Sequence, residues 1–122
     1  MAGHAGVVKL AIDTGAPLTV LNRYGGVPII PAAHHGHVVV VRTLIAAGSP
    51  LDHVNRLGWT ALLEAIILGD GGPAHTEIVR LLVASGAKID LADRDGVTPL
   101  AHALKRGYGA IGSILRFAGA KP

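Results

Sequence analysis

The sequence contains no cysteine, and this absence removes several classes of chemistry at once. Disulfide bonds, thiolate metal ligands and cysteine nucleophiles are all excluded for this chain. No apolar run approaches the roughly 20 residues that a membrane-spanning helix needs. Lys9 and Asp13 interrupt the apolar stretch near the N-terminus, so the chain does not begin with the pattern of an export signal. We therefore expect a soluble chain, which favours the cytoplasm without fixing the compartment.

Aromatic residues are also few, and the net charge is small. Of the 122 residues, half are hydrophobic, but only one Trp, two Tyr and one Phe are present. This composition suits layers of Ala, Leu, Ile and Val between closely stacked helices, and the length predicts a single domain. Eleven Lys and Arg against eight Asp and Glu give a formal charge of +3. That excess would attract acidic partners without identifying them.

The chain repeats itself at a fixed interval. Three arginines, Arg23, Arg56 and Arg94, are separated by 33 and then by 38 residues. A period of 33 residues with one insertion of five explains both steps, and we place the insertion at residues 70–74. The same steps separate three histidines and the successive glycines, which are His4, His37, His75, Gly15, Gly48, Gly86 and Gly119.

The clearest unit lies in the C-terminal half, where two helical patterns flank a turn. Residues 76–85 place apolar side chains at helical spacing, and Gly86 follows where a left-handed residue would end the helix. Residues 93–96, Asp-Arg-Asp-Gly, are typical of a turn. Thr98 then offers a capping hydroxyl ahead of Pro99, a residue type favoured at the first position of a helix. The unit is therefore predicted to be helix, turn, helix.

The pattern Asp-x-x-Gly-x-Thr-Pro-Leu at residues 93–100, together with two short helices and a Gly-Ala-x-x-Asp run, resembles the ankyrin repeat. In the earlier units, the sequence variants of this pattern look most like those of bacterial members of the family. The resemblance implies an all-α solenoid of stacked helix-turn-helix units with projecting β-turn fingers. It also implies a non-catalytic protein-protein interaction module that needs no cofactor. The predicted divisions are a half repeat at residues 1–21 and repeats at 22–54, 55–92 and 93–122.

Two parts of the chain depart from the family pattern. Residues 3–15 align with residues 36–48, so the chain begins with the second helix of a unit whose first helix is absent. We expect a truncated first repeat, an internal piece of a longer chain, or self-association through that open end. Val27 stands where Thr60 stands in the next unit, so the helix at residues 28–35 lacks a capping hydroxyl and should be short or distorted.

The insertion invites a catalytic interpretation that we do not favour. Pro73 and the neighbouring glycines should keep the insertion out of both flanking helices and make it bulge, as a loop that could contact a partner. The Gly-Lys-Ser/Thr ending and the preceding strand of a phosphate-binding loop are missing. Glu64, Asp70 and His75 could form an acid-base set or metal site here, but no nucleophile or oxyanion donor accompanies them. An enzyme at this loop is therefore only an alternative.

The three arginines give the sharpest functional prediction. Equivalent side chains on stacked repeats lie about 8 to 10 Å apart, so these arginines should form a ladder along the turn tips. Asn22 and Asn55 stand where the family usually has Asp, which keeps the turn-forming acceptor and makes the ladder more positive. We predict that the concave side binds a protein with an acidic, partly apolar surface. By resemblance, the contact residues are Arg23, Tyr24, His34, His35, Arg56, Leu57, Trp59, Arg94, Asp95, Lys105 and Arg106.

Three other interpretations stay open. The arginines could simply cover neighbouring apolar surface with their stems. The same basic stripe could bind nucleic acid with a strong salt dependence, although Asp93 and Asp95 interrupt it and aromatic residues for base stacking are few. The histidines at positions 34, 35 and 37 suggest a metal site, which we do not favour. Adjacent residues His34 and His35 should not share one helical face, and no nearby carboxylate or cysteine completes a site.

Overall fold

The computed structural model describes residues 27–121, and these residues form three stacked helix-turn-helix pairs. No strand occurs among them. The inner helices α1, α3 and α5 pack side by side in one layer, and the outer helices α2, α4 and α6 form the other. The predicted all-α architecture is therefore confirmed. The pairs are α1 Ile29–His34 with α2 Val38–Ala46, α3 Ala61–Ile67 with α4 Pro73–Ala84, and α5 Pro99–Lys105 with α6 Gly109–Phe117.

A capping threonine precedes each of the two inner helices for which the sequence predicts one. The Thr60 hydroxyl accepts a hydrogen bond from the Leu63 backbone N–H at 3.2 Å. The Thr98 hydroxyl accepts from the Ala101 N–H at 3.1 Å. Helix α1 has Pro28 at its cap position and no side-chain cap, and it is six residues long where α3 and α5 have seven. The uncapped helix is therefore only one residue shorter than its two counterparts.

The outer helices end at glycines in the left-handed region, as the repeat predicts. Gly48, Gly86 and Gly119 have φ values of 87°, 96° and 96°. A side chain would be strained in that conformation, so glycine ends each helix at the smallest cost. The predicted equivalent Gly15 lies outside the described residues. The chain therefore turns back at the same point of each described unit.

Equivalent contacts join successive repeats. The Asp52 carboxylate accepts a hydrogen bond from the Lys88 backbone N–H at 2.8 Å. One repeat later, Asp90 accepts from the Lys121 N–H at 3.0 Å. Between the layers, each junction is filled by buried aliphatic side chains. The recurrence of one contact at both junctions fixes the stacking register of the repeats. The largest fully buried side chains include Ile29, Leu44, Leu62, Ile66, Ile78, Leu82, Leu100, Ile111 and Leu115.

The insertion lengthens an outer helix as well as forming a turn. Helix α4 begins at Pro73, with Gly72 at its N-cap, and has 12 residues where α2 and α6 have nine. The prediction that Pro73 would keep the whole insertion out of both helices is therefore wrong. Proline has the φ of the first helical turn and lacks only an N–H that is unpaired there, so it starts this helix.

A tyrosine of the next repeat holds the turn of the insertion. The Tyr108 hydroxyl donates a hydrogen bond to the Gly69 carbonyl at 3.2 Å. Gly71 lies against the Tyr108 ring with a φ of 72°, where a Cβ atom would overlap the ring. Tyr108 stands 33 residues after His75, whose Nε2 contacts the His34 carbonyl at 2.8 Å. Equivalent positions therefore hold the preceding repeat at both junctions, and the insertion is fixed by this packing.

Candidate partner-binding site

The finger of the second described repeat is organised by one side chain, Asn55. Its Oδ1 accepts hydrogen bonds from the backbone N–H groups of Leu57 at 3.0 Å and Trp59 at 3.1 Å. Gly58 completes the turn with a φ of 84°, a conformation that favours glycine. The Asn55 amide oxygen therefore accepts the turn-forming hydrogen bonds that an Asp carboxylate oxygen accepts at this position of the family pattern.

The next finger repeats this geometry with an aspartate. The Asp93 Oδ1 accepts from the N–H groups of Asp95 and Val97, both at 2.9 Å. Gly96 has a φ of 78°. The two fingers therefore have the same turn, and their differences lie in the side chains that they present.

The predicted ladder is represented in the described residues by Arg56 and Arg94. Arg94 Nη2 donates a hydrogen bond to the Arg56 carbonyl, so the side chain reaches back to the preceding finger. Its stem covers Gly58, where a Cβ atom would lie 2.6 Å from Arg94 Cγ. Both arginines are exposed. The remaining predicted finger residues, Arg23 and Tyr24, lie outside the described residues.

The other predicted contact residues differ in accessibility. The Leu57 side chain is 46% exposed at a finger tip, and Trp59 is half-buried beside it. Asp95 and Lys105 are exposed. Arg106 is half-buried, and its Nη1 donates to His102 Nδ1 at 2.9 Å. Arg106 is therefore held at the end of its own helix, whereas Leu57 presents apolar surface to solvent.

A buried acid lies behind the Asn55 finger. The Asn55 amide donates a hydrogen bond from Nδ2 to Glu64 Oε2 at 2.7 Å. His34 Nδ1 lies 3.4 Å from Glu64 Oε1, and only 7% of the Glu64 side chain is exposed. Burial raises the pKa of Glu64 to about 7, and the hydrogen bond from Asn55 opposes that rise. The pKa of His34 is lowered by burial and then by the charges of His35 and His75.

The third described repeat has a different pair at the same two positions. His102 Nε2 lies 2.7 Å from Asp93 Oδ2. Because Arg106 donates to His102 Nδ1, that nitrogen is an acceptor, and Nε2 carries the proton donated to Asp93. The pKa of Asp93 is lowered, mainly by the hydrogen bond from the Val97 N–H and further by His102. The same spacing of nine residues separates Asn55 from Glu64 and Asp93 from His102, and this recurrence in the sequence could have indicated the pairs.

The histidine cluster differs from the prediction in the placement of His35. The His34 and His35 rings stack with centroids 4.3 Å apart, because His35 lies just beyond the end of α1 and is not restricted to a helical face. One carboxylate, that of Glu64, lies 3.4 Å from His34 Nδ1. Within residues 27–121, no group of three or more His, Asp or Glu side chains is arranged to hold a metal ion.

The three residues considered as an acid-base set do not converge. Asp70 Oδ1 lies 3.1 Å from His75 Nδ1 and accepts from the Gly72 N–H at 2.8 Å. These contacts lower the pKa of Asp70, the backbone hydrogen bond most. Glu64 contacts His34 and Asn55 instead. Asp70 and His75 therefore hold the start of α4, while Glu64 belongs to the inner face of the helix stack.

A cleft of about 360 Å³ opens beside Glu64, between the inner helices α1 and α3 and the Asn55 finger. Aliphatic side chains and Pro31 form much of its wall, and the polar groups are two histidines, one amide and the carboxylate. Several predicted contact residues therefore meet at one concavity. Its lining residues are Ile30, Pro31, His34, His35, Asn55, Leu57, Glu64 and Leu68.

Sequence and structure comparisons agree on one family. The sequence profile described as ankyrin repeats (3 copies) matches residues 1–93 and, in an overlapping match, residues 32–122. A crystal structure of an ankyrin repeat domain from Acinetobacter baumannii is 55% identical, with a TM-score of 0.95 over 98% of this chain and 61% of that chain. A second crystal structure, of an ankyrin repeat protein, is 35% identical, with a TM-score of 0.88 over 93% and 58%. No curated protein matches the chain.

The chain spans about three fifths of the length of these two solved chains. No helix in the described part is long and apolar enough to cross a membrane. The predicted resemblance to bacterial members is confirmed by the Acinetobacter baumannii structure. The profile matches over residues 1–93 and 32–122 and the stacked helix pairs show that the chain belongs to the ankyrin repeat family, whose domains generally serve as protein-protein interaction modules.

Proposed function

We propose that the chain binds a protein with an acidic, partly apolar surface through its concave face. The concave face is defined by the two described fingers and the inner helices α1, α3 and α5. The observation that carries the proposal is the contact between fingers, in which the Arg94 guanidinium reaches the Arg56 carbonyl. Two exposed cationic side chains therefore belong to adjacent fingers, beside the exposed apolar side chain of Leu57.

The chemistry of this face favours a protein partner. Guanidinium groups form bidentate hydrogen bonds with carboxylates, and arginine and tryptophan are enriched among residues that dominate interface affinity. Trp59 is half-buried at the base of its finger, so it can contribute apolar area without losing much side-chain freedom. The repeat period assigns Arg23 and Tyr24 to the preceding finger. At the helix ends, Lys105, Arg106, His34 and His35 complete the proposed contact surface.

The test compares charge reversals at two places. In one variant Arg56 and Arg94 are changed to Glu, and in the matched variant the exposed residues Arg116 and Lys121, away from the fingers, are changed to Glu. Capture of proteins from a lysate of the source organism is then compared. We expect the finger variant to lose partner binding at least tenfold and the matched variant to retain it. Adding Arg23→Glu should weaken binding further.

Equal capture by both variants would contradict the concave assignment. Circular dichroism and urea unfolding of each variant check that the fold is intact, because Arg94→Glu also removes the contacts of Arg94 with the Arg56 carbonyl and Gly58. The same proteins are mixed with DNA and RNA at low salt in a mobility assay. A mobility shift that is lost in the finger variant and at high salt would favour nucleic acid over a protein partner.

A further inference from the structure

We propose that the cleft between α1 and α3 receives a lysine or arginine side chain of the partner, with the Glu64 carboxylate as its counter-charge. The inference rests on the proposed use of the concave face for binding. It adds a specific requirement, which is that an otherwise acidic partner surface presents one basic side chain at this point.

The carboxylate of Glu64, a residue that lines this cleft, has unused hydrogen-bonding capacity. A carboxylate offers about four acceptor positions on its two oxygens. Oε2 accepts one hydrogen bond from Asn55 at 2.7 Å, and the described partner of Oε1 is His34 Nδ1 at 3.4 Å. That second distance is longer than a normal N–H···O hydrogen bond. A cationic donor in the cleft would therefore find acceptor positions that the described residues do not fill.

The walls fit the stem of a long basic side chain. Ile30, Pro31, Leu57 and Leu68 supply apolar surface around the carboxylate. Lysine and arginine bury their methylene groups against such surface while the charged end contacts a polar group. The volume of about 360 Å³ is near the lower end of the range of about 300 to 1,000 Å³ for ligand pockets. The cleft therefore suits one side chain better than a large cofactor.

The charges around the carboxylate explain why a cation is the preferred occupant. Asn55 is neutral, so its hydrogen bond does not balance the negative charge of a buried Glu64. His34 approaches from α1, but burial and the charges of His35 and His75 lower its pKa, so it is neutral at pH 8. A buried carboxylate without a cationic partner is costly, and an incoming cation would reduce that cost.

Binding should consequently release a proton near neutral pH. The pKa of Glu64 is raised to about 7, so about one tenth of the carboxyl groups are ionised at pH 6 and about nine tenths at pH 8. A ligand that binds the ionised form alone would bind about tenfold more tightly at pH 8 than at pH 6. His34 and His35 line the same cleft, and a positive charge on either ring would repel an incoming cation.

The experiment uses n-propylguanidinium as a probe of an arginine side chain and n-propylurea as its uncharged control. Both are titrated into the ¹³C,¹⁵N-labelled full chain, and NMR follows the Glu64 carboxyl and the Leu57 amide signals. We expect saturable binding of the guanidinium compound, tighter by about tenfold at pH 8 than at pH 6. Its binding should also lower the titration midpoint of Glu64, and the urea compound should bind at least tenfold more weakly.

Two variants separate the charge from the apolar walls. Glu64→Gln keeps the size of the side chain and should abolish both the preference for guanidinium over urea and the pH dependence. Leu68→Ser should weaken both probes by a few fold and preserve the preference. Equal binding of the two probes, tighter binding of acetate, or no binding at pH 8 would overturn the proposal. None of these measurements uses the partner, so a negative result would leave the test of the two finger arginines unaffected.

Discussion

In the second and third described repeats, one side-chain hydrogen bond joins the finger to the inner helix, but its direction is opposite in the two repeats. In the second, the finger donates a hydrogen bond from the Asn55 amide to Glu64 on helix α3. In the third, the finger accepts, because Asp93 Oδ2 accepts a hydrogen bond from His102 Nε2 on helix α5. Both arrangements leave Oδ1 available to the finger backbone, so the turns are the same. The comparison shows that the fold constrains hydrogen bonding at these positions more tightly than it constrains charge.

The same difference reverses the pH dependence of the two pairs. Burial raises the pKa of Glu64 to about 7, whereas backbone hydrogen bonds and His102 lower the pKa of Asp93. The contribution of Glu64 to stability is complete below its unfolded value of about 4.5 and is lost as pH rises through about 7. The contribution of Asp93 is present above its unfolded value of 3.8 and is lost as pH falls through its lowered folded value. The domain therefore contains one acid whose contribution to stability falls as pH rises and another whose contribution falls as pH decreases.

The largest expected effect comes from placing two acids at the second pair. Asn55→Asp preserves Oδ1 for the finger but replaces the amide donor with a second carboxylate oxygen facing Glu64. An uncompensated buried charge costs about 3 to 5 kcal/mol in other proteins, so we expect two facing carboxylates to cost about 3 kcal/mol at pH 8. Urea unfolding measures it. The loss should shrink at pH 5, where a protonated Glu64 can donate to the new carboxylate.

A double variant provides the matched control for that change. Asn55→Asp with Glu64→His copies the pair found at Asp93 and His102. We expect its stability at pH 8 to return to within about 1 kcal/mol of the original protein, because the pair again has one donor and one acceptor. Destabilisation equal to the sum of the two single variants would show that the second repeat cannot accept the other polarity.

The next effect is the pH dependence of Glu64 itself. Glu64→Gln removes the titrating group and keeps the hydrogen bond to Asn55 possible. Between pH 5 and pH 8, the original protein should lose about 2 to 3 kcal/mol of unfolding free energy relative to this variant. Urea unfolding at several pH values gives both curves. Parallel curves would mean that the carboxyl group has an ordinary pKa.

The insertion offers a smaller contrast between two glycines with similar backbone angles. Gly71 and Gly96 have φ values of 72° and 78°, but only the first lies against a side chain, that of Tyr108. Gly96→Ala should cost about 1 kcal/mol because of backbone strain. Gly71→Ala should cost at least about 1 kcal/mol more because the ring must move. Thermal unfolding of both variants tests this, and combining Gly71→Ala with Tyr108→Ala should remove the extra cost.

The smallest expected effect is the loss of a threonine cap, and we expect it to be the same in the two repeats. Thr60→Ala and Thr98→Ala each remove one capping hydrogen bond, at 3.2 and 3.1 Å, and each should cost about 1 kcal/mol. Serine keeps the hydroxyl, so the corresponding serine variants should retain most of the stability. Urea unfolding that shows a difference of more than about 1 kcal/mol between the two alanine variants would mean that the caps are not equivalent.

Much of the fold could be predicted because the repeat period and the local chemistry agree. The threonine caps, the left-handed glycines and the turn residues act within a few positions of the chain, so sequence spacing is enough to identify them. Pro73 was misread because proline both ends a helix and starts one, and the choice depends on how the insertion packs on Tyr108. That packing joins residues about 40 positions apart and leaves no local pattern.

The proposed site was less accessible to sequence reasoning. Spacing indicated Arg56 and Arg94 as finger residues, and the family resemblance indicated Leu57, but the reach of Arg94 to the preceding finger depends on side-chain conformation. Glu64 was named from the sequence as a member of a possible acid-base set, and its partners Asn55 and His34 were not identified. The contact with His34 brings together two inner helices, and the stacking of His34 on His35 depends on where α1 ends. Neither the contact between His34 and Glu64 nor the stacking of His34 on His35 follows from the repeat period alone.

The most direct measurement is the titration of the Glu64 carboxyl group by ¹³C NMR in the unliganded chain. A buried acid paired with the Asn55 amide should titrate near pH 7, and the added n-propylguanidinium should move that midpoint to lower pH. A midpoint near 4.5, unchanged by the added cation, would mean that Glu64 is neither desolvated nor the counter-charge of the cleft.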